Sequence, residues 1–127
     1  MVSWQRAHWC VGAVTLAVFP LSGAYMLHIA LVPHLEDVPR LVFRSRHLFL
    51  MISGVANLAI AAGCPRGIAG KIASSLVLVS PFLLIAAFLV DPARGIDSSE
   101  FFRLAMFALF GAGVLLAICN RPRRKPW

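Results

Sequence analysis

The sequence predicts an all-α integral membrane protein, a bundle of four antiparallel transmembrane helices, and three observations predict it. The composition is 60% hydrophobic and 13% charged, against about 25% charged residues in an ordinary globular domain, and the mean hydropathy is +0.83. Four apolar stretches, each near the roughly 20 residues a helix needs to cross the hydrocarbon core, are separated by three short polar gaps. The charges sort between those gaps. Glu36, Asp37, Asp91, Asp97 and Glu100 fall in the gaps at 32–46 and 91–103, where Arg40, Arg44, Arg46, Arg94 and Arg103 balance them. The termini and the middle gap hold Arg6, Arg66, Lys71, Arg121, Arg123, Arg124 and Lys125 and no acid. Both ends share a side with the middle gap only if the number of crossings is even, and the Lys/Arg excess marks the cytoplasmic side. The expected topology is therefore four spans forming one domain over 1–127, with N- and C-termini cytoplasmic, in a bacterial inner membrane.

The first span is expected at about 9–32, a stretch with no Asp, Glu, Lys or Arg that follows Trp4 and Trp9, aromatic residues suited to the headgroup zone. Pro20 removes the hydrogen bond to the Leu16 carbonyl and predicts a kink, and Gly23 lets a neighbour pack closely. The small residues Ser22, Gly23 and Ala24 also suit a signal peptidase, which makes a secretory leader the competing reading of this segment. The remaining spans are expected at about 46–63, 72–90 and 101–120. Small residues mark faces for helix contact in the second, at Ser53, Gly54 and Asn57, and in the fourth, at Ala108, Gly111 and Gly113.

Polar and ionisable residues within a membrane are costly and become functional candidates by default. On a helix turning 100° per residue, Arg46, Leu50, Ser53 and Asn57 share a stripe beside that of His47, Met51, Gly54 and Leu58. Together they form one polar face, which Tyr25 and His28 of the first span should meet at comparable depth, with Asp91 and Arg103 flanking the mouth. The functional reading is an outward-opening pocket lined by His28, His47, Arg44, Arg46, Tyr25 and Asn57. Haem b is its sharpest occupant, with His28 and His47 as axial ligands and Arg44 or Arg46 on the propionates; a quinone held by the same groups is a second. The structural alternative is that Arg44, Arg46 and Asp91 snorkel and pair at the headgroups. Asn57, at mid-helix, needs a partner, for which Ser80, Ser22 or a carbonyl freed by Pro20 or Pro81 is available.

The run from Arg44 to His47, an Arg-x-x-His, resembles the start of the polar helix in the MAPEG family of small four-helix glutathione and eicosanoid enzymes. That family has Asn and Glu after the His; here Leu48, Phe49, Leu50 and Met51 stand there, so its activity is not carried over. No phosphate loop, zinc-protease helix or nucleophile elbow occurs. Cys10, Cys64 and Cys119 all fall on the cytoplasmic face, with His8, in no zinc-site spacing. The net charge of +7 lies at the ends of apolar segments, where it faces lipid phosphates rather than nucleic acid. The tail, with Arg121, Arg123, Arg124, Lys125 and Trp127, is expected to hold anionic lipids. The expected role is that of a non-enzymatic accessory or interaction protein, packed against a larger membrane partner or a second copy. Transport is a lesser alternative, since no charge sits at the midplane.

Overall fold

The computed structural model describes residues 2–63, 67–94 and 99–119, and it is built from helices: α1 (Val2–His28), a 3-10 turn (Val32–His34), α2 (Asp37–Ala62), α3 (Gly67–Arg94) and α4 (Glu100–Cys119). All four α-helices are long and apolar enough to cross a membrane. The chain is a multi-pass, all-α membrane bundle.

The helix ends follow local chemistry and move the expected boundaries. α1 closes at His28, four residues before the expected end of the span. The Tyr25 carbonyl there accepts from both Ile29 N–H at 3.0 Å and Ala30 N–H at 2.9 Å, and Pro33 has no N–H with which to continue the ladder. Leu31 reverses the chain in the left-handed region, at φ 49°. α2 begins at Asp37, nine residues before the expected start, because Pro39 lies in the first turn, where no N–H is needed. Arg40, Arg44 and Arg46 therefore ride on helix. At about 1.5 Å per residue the 26 residues of α2 exceed a hydrocarbon core of about 30 Å, so its ends reach the headgroups. α3 absorbs both Pro81 and Pro92 and runs to Arg94, which places Asp91 on the helix rather than in the gap. In α4, Arg103 N–H donates to the Ser99 carbonyl at 3.1 Å, and Glu100 stands in the first turn, where its charge suits the helix dipole.

The helices pack in chain order: α1 on α2, α2 on α3 and α3 on α4, with α1 also touching α3. Burial shows which are central. The most apolar window of α3 is 44% buried and that of α2 33%, against 17% for α1 and for α4. One apolar cluster, with Met26, Phe43, Leu50, Leu84 and Phe88, lies toward the end where α1 turns into α2 and α3 into α4. A smaller one, with Ile60, Ala73, Val77 and Ala112, lies toward the end that carries the start of α1.

The α1/α2 contact is reciprocal. A Cβ built on Gly12 would stand 2.9 Å from Leu58, and one on Gly54 would stand 2.9 Å from Leu16, so each glycine receives a leucine from the other helix. Gly23 likewise sits beside His47, where a Cβ would come within 3.3 Å of the ring. The residues 22–24 that suit a signal peptidase thus include two, Ser22 and Gly23, that pack against α2. In α4 the expected contact through Gly111 and Gly113 is not made: a Cβ at either would meet nothing within 4 Å. Of the expected face only Ala108 is buried, and it shares the packed face with Ala105 and Ala112.

Candidate functional site

Polar groups gather at three places, and the sequence-expected pocket is divided among them. The first lies toward the start of α1. Asn57, fully buried, donates through Nδ2 to the Ser53 and Val77 carbonyls, each at 3.0 Å. Carbonyls only accept, so the amide orientation is determined, and Oδ1 is the atom that faces His8 Nδ1 at 2.8 Å. His8 must then donate from Nδ1. Its Nε2 lies 2.6 Å from Ser74 Oγ, where a neutral ring accepts the serine proton while Ser74 accepts from Trp4 Nε1 at 2.7 Å. Ser80 donates to the same Val77 carbonyl at 2.9 Å, so the 2.6 Å contact between Ser53 and Ser80 runs from the Ser53 hydroxyl.

Val77 is the hinge of this network for a covalent reason. It lies four residues before Pro81, whose nitrogen carries no hydrogen, so the Val77 carbonyl lacks its helical donor. Asn57 and Ser80 replace that donor. The expectation that Asn57 would find a proline-freed carbonyl is met, whereas its expected neighbourhood is corrected. Arg46 and Asn57 share one buried face, but eleven residues separate them, about 16 Å along the axis. Asn57 belongs with His8, not with the arginines.

The second place is a buried ion pair toward the other end. Arg46 Nε and Nη2 donate to Asp91 Oδ2 at 3.1 and 2.9 Å, and Nη1 donates to Ser45 Oγ at 2.9 Å. The guanidinium lies over the Phe102 ring, 3.9 Å from its centroid. The expected pairing of Arg46 with Asp91 is made, but as a buried pair, with Arg46 5% exposed and Asp91 0%, and not by snorkelling; Arg44 is exposed. Both donors converge on Oδ2, and Oδ1, though buried, has no hydrogen-bond partner among the described residues.

The third place is His47. Ser22 donates its one proton to the Phe19 carbonyl at 2.8 Å, so the 2.9 Å contact between Ser22 Oγ and His47 Nδ1 has Nδ1 as the donor. The ring stacks on Phe19, with centroids 4.1 Å apart and planes at 15°. In the neutral ring Nε2 is left as an acceptor. His28 does not join it. It lies six residues beyond Ser22, about 9 Å along the axis and about 240° around it, and is exposed. The two histidines therefore do not face each other as the axial pair a haem would require. Tyr25 lies with its ring 6.0 Å from that of Phe88, not in a common pocket with Asn57.

Among the described residues no group of three His, Cys, Asp or Glu side chains comes together to hold a metal. Cys10 is exposed; Cys64, the Cys119 side chain and the basic tail at 121–127 lie outside the described residues. Sequence reasoning placed Trp4 at the headgroups and His8 beside the cysteines, and missed that they meet Ser74 and Asn57. A signal was present: Ser74, Val77 and Ser80 repeat every three residues along α3, matching the Ser53 and Asn57 stripe of α2, and Pro81 marks Val77 as the free acceptor. No protein-family model, curated protein or solved structure matches the chain.

Proposed function

We propose that this chain is a non-catalytic accessory protein of a bacterial inner membrane, with both termini in the cytoplasm, that works by packing against a larger membrane partner or a second copy of itself. One observation carries the reading. The buried hydrogen-bonding groups of α1, α2 and α3 are spent largely on one another, ending on the Ser53 and Val77 carbonyls, while α1 and α4 each present a long apolar face, including Leu21, Phe107 and Phe110. Polar chemistry holds the bundle together, and the outer helices offer surface. The charge sorting supports the orientation, because seven bases stand on one side and five on the other.

Extraction in native lipid discs followed by mass measurement tests the association. The expected particle holds more than one chain or a second protein, and replacing Phe107 and Phe110 by Ala reduces it to the single chain. A wild type that emerges as a lone chain overturns the reading. A reporter fused after Trp127 is expected in the cytoplasm; an external signal overturns the orientation.

A second reading rests on His47. Its Nδ1 proton is committed to Ser22, and its Nε2 is suited to accept from a hydroxyl, as a reduced quinone would offer. Binding of a soluble quinol analogue that is lost in H47A and kept in H28A supports it; equal binding by all three proteins removes it.

A further inference from the structure

A groove between the first turns of α1 and the last turn of α2 is lined by Gln5, Arg6, Trp9, Leu58, Ala61 and Ala62, with a volume of about 410 Å³. Such a volume falls within the roughly 300–1,000 Å³ of small-molecule sites. We propose that it binds an anionic phospholipid, with one acyl chain in the groove and the phosphate on Arg6.

The shape follows from the helix contact. Leu58 leans on Gly12, and so closes the groove toward the bilayer centre. One turn further along α2, Ala61 and Ala62 carry too little side chain to fill the space. Trp9, 62% exposed, forms the α1 wall and is the residue type that prefers the headgroup boundary. The groove is thus apolar at depth and polar at its mouth, where Gln5 and Arg6 stand exposed. That gradient matches a lipid, with an acyl chain at depth and a headgroup at the mouth.

Charge selects the lipid. Among the described residues Arg6 makes no ion pair or hydrogen bond. All five acids belong to the gaps at the far end of the bundle, so none competes for the guanidinium. Lys71 lies at the same end, at the start of α3, and adds to the positive field. Arg6 supplies charge and paired donors for a phosphate diester, and Gln5 can donate to the same headgroup. A second copy of this chain would bring Arg6 no acid at this depth, which disfavours it as occupant. A lipid can enter the groove whichever side of the membrane the termini occupy.

Tryptophan quenching by brominated lipids tests it on the full chain reconstituted in phosphatidylcholine vesicles. These carry a minor fraction of either dibrominated phosphatidylglycerol or dibrominated phosphatidylcholine, and the Trp9 signal is taken as wild type minus W9F. The expected result is preferential quenching by the glycerol lipid of about fivefold, the ratio set by one base at an anionic surface. R6K keeps the preference and R6Q loses it. A61L/A62L, which fills the groove and leaves the charge intact, also loses it. Equal quenching by the two lipids in wild type overturns the site. Preference retained in A61L/A62L assigns the lipid to surface charge alone and overturns the groove. Excess inorganic phosphate leaves the preference in place; its loss there would give Arg6 a soluble anion instead.

Discussion

The two ends of the bundle solve one problem with different chemistry. Near the start of α1, neutral groups close on themselves: His8, Asn57, Ser74, Ser53 and Ser80 satisfy one another and finish on backbone carbonyls. Toward the other end a full charge pair, Arg46 with Asp91, is buried between α2 and α3 and leaves Oδ1 without a donor among the described residues. Neutral hydrogen bonds within a membrane average only about 0.6 kcal/mol each, so the first end specifies which faces meet more than it adds stability. A buried ion is different, because removing its partner strands a charge where no water can reach it. The comparison teaches that the charged end should be the more fragile to single substitutions and the neutral end the more informative about register.

The largest expected effect breaks the charged end. D91A should destabilise the bundle by about 3–5 kcal/mol, since Arg46 is left buried and unpaired, whereas replacing both residues by Leu should be close to neutral. Reversible unfolding in mixed micelles measures both. If D91A costs no more than N57A, the ranking of the two ends is wrong.

Packing between the ends comes next. G12A and G54A should each cost about 1–3 kcal/mol through overpacking, because each Cβ meets a leucine at 2.9 Å with backbone close behind. L58A should recover part of the G12A loss. G111A, open to its surroundings, should stay within about 0.5 kcal/mol. Equal losses at Gly12 and Gly111 would contradict the reciprocal contact.

The smallest effect, a coupling between two substitutions, sharpens the neutral end. N57A removes three hydrogen bonds, together about 2 kcal/mol at the membrane average. P81A returns an N–H to the Val77 carbonyl and competes with Asn57 for it. The two substitutions should therefore couple by about 0.5 kcal/mol or more in a double-mutant cycle, and strict additivity would show that Val77 is not the shared acceptor.

The sequence by itself determined the class, the number of helices and the buried face of α2. Arg46, Leu50, Ser53 and Asn57 are all buried on one stripe of α2, as a 100° period requires, and the acceptor freed by Pro81 follows from proline's missing hydrogen. Helix ends were less legible, because Pro39 and Pro92 are tolerated within the first and last turns and let α2 and α3 run past the apolar stretches. Only the tertiary structure decided the partners. A stripe states an angle and not a depth, so Arg46 and Asn57 look like neighbours in the sequence and stand at different levels in the fold. His28 and His47 needed a pairing of α1 with α2 in one particular register. That register is set by Gly12 against Leu58 and Gly54 against Leu16; it turns His47 onto Ser22, carries His28 to the exposed side, and brings His8, which no local pattern singled out, onto Asn57.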